Sequence, residues 1–295
     1  MDTRFIGSSV CGASHKRCGL ECQDSHKFVD KGDVMILAVA DGHGSAACPY
    51  SKSGSQIAVN VFCQIMSGYC DKYSGDLQTL LTFFNREGDT MVARSIDTVW
   101  KQRVWKNSYA KLSKTLGNYD EKGKKTDKKS REFVFTQYGT TLVGLLVTPL
   151  FRFAFQIGDG DMFLINESGV VPLLDTEKIL GVETHSLSKR EAWKKAVTSV
   201  QRLDNGVTEP YAYILTTDGF ANSYPNEDGY IEALKGYFEA VNEHGCDAVK
   251  ENLDDWLSQT SEQGCGDDVT LLMAYRDSLQ STPAISNLSG RKGRN

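Results

Sequence analysis

Apolar positions along this chain repeat with two different periods. Short runs rich in β-branched and aromatic residues, bounded by turn formers, predict strands at Val34–Ala40, Gly139–Thr148, Phe151–Ile157, Met162–Asn166, Tyr211–Thr217 and Val269–Tyr275. The 151–174 region reads as a meander, with turns at TPLF, at GDGD and at NESG before a further run, Val170–Leu174.

Between the strands the spacing becomes helical. Ser55–Met66 places Ile57, Val61, Ile65 and Met66 on one side. Val92, Ile96, Trp100 and Val104 recur every fourth position and predict a long helix from Thr90 to Leu112. Two more stripes, Ile231/Leu234/Phe238/Val241 and Val249/Leu253/Leu257, follow. All of them, with Trp105 and Trp256, read as core packing. Strands and helices in separate runs suggest an α+β fold in which sheet packs on sheet beneath covering helices.

Two stretches lack a period. Leu116–Arg131, polar and lysine-rich, reads as a solvated loop, and the tail from Ser278 reads as disordered. The expected organisation is one domain over 1–277 with a tail over 278–295.

Composition narrows the classes. The chain is 40% hydrophobic and 24% charged, ordinary for a globular protein. With 33 Lys plus Arg against 38 Asp plus Glu, the net charge of −5 gives no support to a nucleic-acid partner. No apolar run approaches the roughly 20 residues of a membrane helix, and MDTRFIGSSV lacks the layout of a signal peptide. A cytoplasmic protein with no membrane partner is expected, and nothing demands more than a monomer. Cys18 and Cys22, near His15 and His26, invite a zinc reading, but the second tight ligand pair is missing. The eight cysteines read as reduced thiols.

The aspartates fall at strand ends. Asp41 follows VMILAVA, Asp159 follows FRFAFQI and one glycine, and Asp218 follows YAYILTT. Asp267 and Asp268 precede VTLLMAY, and Asp24 precedes a short apolar stretch. Each alone is an ordinary turn former. Together, on facing sheets, they can line one pocket of oxygen ligands, whose mutual repulsion calls for cations. Carboxylates select Mg²⁺ or Mn²⁺ over zinc or copper. Two such ions about 3.5–4 Å apart would bridge a water, lower its pKa and produce a hydroxide suited to attack on a phosphate ester. His43 is placed to protonate the leaving oxygen, and Arg17 is the nearest guanidinium for the phosphate.

VADGHGS, YGTTLVGLL, FQIGDGDMFLI, ILTTDGF and GCGDDVTLLM occur in an order that resembles the metal-dependent Ser/Thr protein phosphatases of type 2C, the PPM family. The resemblance runs from Phe5 to Tyr275. It implies a four-layer α-β-β-α sandwich with a two-metal site at one end, acting on phosphoserine and phosphothreonine in proteins. By resemblance Asp41 would bridge both metals, the Gly42 carbonyl would bind one, and Asp218 and Asp267 would hold the other. Asp24 would act mainly through water, Asp159 would contribute to a weaker third site, and His43 would be the general acid. The chain departs from the pattern at Gln23, often an acid, and at Gly19, where the family's phosphate-binding arginine stands. That leaves Arg17, Lys16 or His15 for the phosphate. Asn222 replaces an acid of the third site, implying weaker binding there. A variable flap before Asp218 carries Lys189, Arg190, Lys194 and Lys195, which would favour acidic phosphopeptides or form a solvated helix face. A pseudophosphatase used as a binding module, or a hydrolase of small phosphate esters, are the alternatives. The first predicts loss of Asp41, Asp218 or Asp267, and all three are present.

Overall fold

The computed structural model describes residues 3–115, 128–174, 184–203 and 209–277. Strand β1 (Thr3–Val10) leads through helix α1 (Ala13–Cys18) to the hairpin β2 (Ser25–Asp30) and β3 (Met35–Ala40). Helices α2 (Ser51–Lys72), α3 (Leu77–Glu87), α4 (Ala93–Thr115) and α5 (Lys128–Thr136) come next, α4 entered through a π-helical turn, Gly88–Val92. Then come β4 (Leu142–Val147), β5 (Phe151–Ile157), β6 (Asp161–Asn166), β7 (Gly169–Pro172), β8 (Val197–Arg202) and β9 (Tyr211–Thr216). Helices α6 (Asp218–Ala221) and α7 (Glu227–Gln263) precede the last strand, β10 (Val269–Arg276).

The strands form two antiparallel five-stranded sheets, β1-β10-β9-β6-β7 and β2-β3-β4-β5-β8. Strand β3 shows why the sequence reads as an unbroken apolar run. Ile36, Ala38 and Ala40 face the helices α2–α4, while Met35, Leu37 and Val39 face the other sheet, so both sides are buried. Helix α7 covers the first sheet with Leu234, Phe238, Leu253 and Leu257. The layers are therefore α-β-β-α, as expected. The period-four stripe of Val92, Ile96, Trp100 and Val104 is fully buried. No helix among the described residues is long and apolar enough to cross a membrane.

Several expectations need correction. GDGD does not turn between paired strands. It carries the chain from β5 in one sheet to β6 in the other. A Cβ on Gly160 would lie 2.6 Å from the Thr216 carbonyl and 2.8 Å from Val143, so only glycine fits between the two sheets here. The tip of the expected 116–131 loop is helical from Lys128 within α5, and residues 116–127 lie outside the described residues, as does the tail. The described part of the flap is a 3-10 turn (Ala192–Lys195) followed by β8, with no solvated helix face. Strands β1 and β8 had no strong apolar run to announce them, whereas helix α3 was passed over although Leu80, Leu81 and Phe84 in LQTLLTFF are buried. The two strands are edge elements that bury only part of each face.

Candidate active site

Asp41 ends β3, and two threonines fix its backbone. The Thr140 hydroxyl and the Thr141 amide donate to the Asp41 carbonyl at 2.7 and 2.9 Å, and the Asp41 amide donates to the Thr141 hydroxyl at 2.9 Å. Gly42 continues this pairing as an isolated bridge to Thr140. The His43 amide donates to the Gly139 carbonyl at 3.1 Å. The DGHG turn is thus laid along the segment that leads into β4.

Asp218 and Asp267 arrive from the opposite sheet, Asp159 from the crossing between the two, and Asp24 from the start of β2 in the sheet of Asp41 itself. Asp41 keeps some surface open to solvent, yet burial pushes its carboxyl well above the usual carboxylate range, helped by the charges of Asp24, Asp218, Asp267 and Asp159. Asp24 is buried, and its Oδ2 accepts from Thr217 at 2.7 Å and Thr270 at 2.8 Å. Burial outweighs those hydrogen bonds and, with Asp268 and Asp218 nearby, pushes Asp24 up to about 8. Asp159 Oδ2 accepts from Thr184 at 2.7 Å. Asp218 opens α6 and accepts from Asn222 Nδ2 at 3.0 Å, so the residue replacing the third-site acid acts as a donor. Asp267 is half exposed and caps the Asp268 amide at 2.8 Å.

Asp268 does different work. Buried, it accepts from the Gly12 amide at 2.6 Å, the Gln23 amide at 2.6 Å and His15 Nδ1 at 2.9 Å, tying the N-terminal segments to β10. His15 Nε2 lies 3.7 Å from Asp267, so His15 borders the acids, while Lys16 and Arg17 on the same short helix are exposed. Gly19, where the family pattern has arginine, ends α1 at φ 68°, a conformation that suits glycine. With His15 on Asp268 and the His26 Nδ1 2.9 Å from Ser9 Oγ, the zinc reading loses its imidazoles. All eight cysteines are free thiols.

Among the described residues, no three His, Cys, Asp or Glu side chains close on one point as a ready ligand set. The donors nonetheless suit hard cations. Asp24 Oδ1, Asp159 Oδ1 and Gln23 Oε1 are buried without a hydrogen-bond partner. Such orphaned oxygens are costly unless something positive or a water meets them. A Cβ on Gly42 would lie 2.7 Å from the Gln23 carbonyl and 2.9 Å from that of Ser51, which shows how tightly the turn is packed. Thr140, Thr141, Thr217 and Thr270 were not singled out from the sequence, although each sits inside a motif that was, and Asp268 was read only as one more strand-end acid beside Asp267. Their adjacency to the acids was the available signal.

The fold is shared with solved structures of low sequence identity. The S. agalactiae serine/threonine phosphatase matches with a TM-score of 0.57 and 13% identity, over 94% of this chain and 100% of that one. The Mycobacterium tuberculosis serine/threonine phosphatase matches at 0.53 and 14%, over 94% and 100%. A C. elegans sex determining protein matches at 0.56 and 14%, over 94% of this chain and 66% of that one. A comparison with curated protein sequences finds no match. The family model for protein phosphatase 2C matches residues 11–258, which spans the DGHG turn, strands β2 to β9 and the acids up to Asp218, with β1, β10 and Asp267 outside it. The chain belongs to the protein phosphatase 2C family.

Proposed function

We propose that this protein hydrolyses phosphoserine and phosphothreonine on other proteins at the acid cluster around Asp41. The observation that carries the reading is Asp41 itself, surrounded by Asp24, Asp159, Asp218 and Asp267 from separate strand ends, with its carboxyl pushed well up by burial and then by their charges. When bound, two Mg²⁺ or Mn²⁺ ions supply the charge that makes water a nucleophile near neutral pH and that offsets the phosphoryl oxygens.

The chain's own residues do the rest. Asp41, Asp218 and Asp267, with the Gly42 carbonyl, are the holding groups. Asp24 and Gln23 offer oxygens through water, and Asp159 serves a weaker third site because Asn222 adds no charge beside Asp218. His43, held in place through its backbone by Gly139, protonates the departing serine or threonine oxygen. His15 is committed to Asp268, so the exposed Arg17 guanidinium is the group we assign to the phosphoryl oxygens.

The test is phosphate release from a phosphothreonine peptide with Mn²⁺, with EDTA, and with Asp41→Asn. Chelation should abolish turnover, excess Mn²⁺ should restore it, and the variant should stay inactive in either case. Turnover that survives both treatments sinks the reading.

A further inference from the structure

The flap and helices α4 and α5 enclose a second cleft of about 190 Å³. Lys101, Arg131 and Arg190 line it together with Glu132, Glu191, Phe135 and Ser188. Part of the charge there is already paired. Lys101 Nζ is 2.7 Å from Asp97 and also donates to the Lys189 carbonyl at 2.8 Å, fastening the flap to α4. Glu191 pairs with Lys194 at 2.9 Å. Arg131 stacks over Trp105 at 5.2 Å, which holds its guanidinium in place. Arg190 is exposed. Three basic side chains against two acids give this spot a small cationic excess in a chain of net charge −5.

Two further observations mark the cleft. Glu191, at φ 50° and ψ 41°, is the one non-glycine residue with positive φ among the described residues. A side chain held there costs stability, and such strain persists where a turn's shape is kept. The elements that build the cleft also build the active site. Helix α5 runs into Gly139, whose carbonyl takes the His43 amide. Ser188 Oγ lies 2.9 Å from Ser186 Oγ, which accepts from the Thr140 amide at 3.1 Å, and Thr140 holds Asp41.

We propose that this cleft is an anion subsite for the substrate. It takes a carboxylate or a second phosphate elsewhere on the same peptide. The proposal rests on the phosphatase reading above and names the substrate class that reading leaves open, acidic phosphopeptides.

The experiment measures kcat/KM for a phosphothreonine peptide with neutral flanks and for versions carrying glutamate or phosphoserine at each flanking position. It uses wild type, Arg190→Glu and Arg190→Ala, with p-nitrophenyl phosphate as a substrate too small to reach the cleft. Wild type should favour acidic peptides by about two- to fivefold per contact. Arg190→Ala should reduce the preference and Arg190→Glu should abolish or reverse it, with aryl phosphate turnover unchanged. Equal rates for neutral and acidic peptides in wild type, or a preference untouched by Arg190→Glu, overturns the subsite. Fluorescence anisotropy of the same labelled peptides separates the two readings. Charge-selective binding that Arg190→Glu removes, without turnover of any substrate, upholds the subsite and defeats the phosphatase reading. Binding indifferent to peptide charge defeats the subsite.

Discussion

Thr270, on β10 of one sheet, donates its hydroxyl to Asp24 at 2.8 Å, and Asp24 leads into β2 of the other. Thr217 reaches the same Asp24 oxygen at 2.7 Å. The two hydroxyls hold Oδ2 and leave Oδ1 buried without a partner. One hydrogen-bonded oxygen and one unanswered oxygen is an arrangement that orients a carboxylate towards a cation or its water.

Thr270→Val should therefore weaken Mn²⁺ binding about tenfold in isothermal titration calorimetry of the folded protein. The loss of one buried hydrogen bond should cost about 1 kcal/mol of stability. Thr270→Ser, which keeps the hydroxyl, should restore the affinity. An unchanged affinity in the valine variant would remove Thr270 from any role in shaping Asp24.

His43→Ala should slow turnover of a phosphothreonine peptide by about a hundredfold, because an alkoxide leaves poorly without a proton. An aryl phosphate carries a good leaving group and should lose far less. Comparable losses on both substrates would take the proton-donor role away from His43.

Asp24 and Asp41 both have folded-state pKa values raised above those of the unfolded chain, Asp24 to about 8. Between the ordinary carboxylate pKa and that raised value, the folded metal-free protein binds more protons than the unfolded chain. Its stability must then fall as pH rises through this window. Cations that take the place of those protons should bind more tightly as pH rises. The rise in Tm produced by a fixed Mn²⁺ concentration should accordingly be larger at pH 8 than at pH 6. Thermal melts with and without Mn²⁺ read this directly, and a flat or opposite trend contradicts the assignment of the cluster as the cation site.

Trp100 is fully buried in the helix-facing core, and its indole Nε1 donates to the Gly54 carbonyl at 3.0 Å, joining α4 to α2. Trp100→Phe removes that donor and leaves a small void, a combined cost of about 2–3 kcal/mol. Chemical denaturation should show a lower midpoint with an unchanged slope. Activity per folded molecule on an aryl phosphate should be unaltered, since the contacts of Trp100 to Gly54 and Phe135 include none of the acids around Asp41.

The long apolar segments were legible because both their faces are buried. In β3, alternate residues enter two different cores, so the strand is apolar throughout and ends abruptly at Asp41. The period of four in α4 survives for the same reason, as Val92, Ile96, Trp100 and Val104 all point into one core. Edge strands carry no such mark. Val197–Arg202 buries little and pairs with β5 along its backbone, with one side-chain bond from Arg152 to Gln201, and nothing in VTSVQR requires that.

The sequence by itself determined the sheet-and-helix composition, the acids at strand ends and the residues flanking Asp41, because local spacing and side-chain chemistry are written directly in it. Tertiary structure alone decided that GDGD crosses between sheets, that Asp268 clamps the N-terminal segments while Asp267 stays half exposed, and that His15 is taken up by Asp268. The physical reason is range. Asp267 and Asp268 are neighbours of identical chemistry, and only contacts to residues some 250 positions away, at Gly12, His15 and Gln23, make one of them a structural anchor.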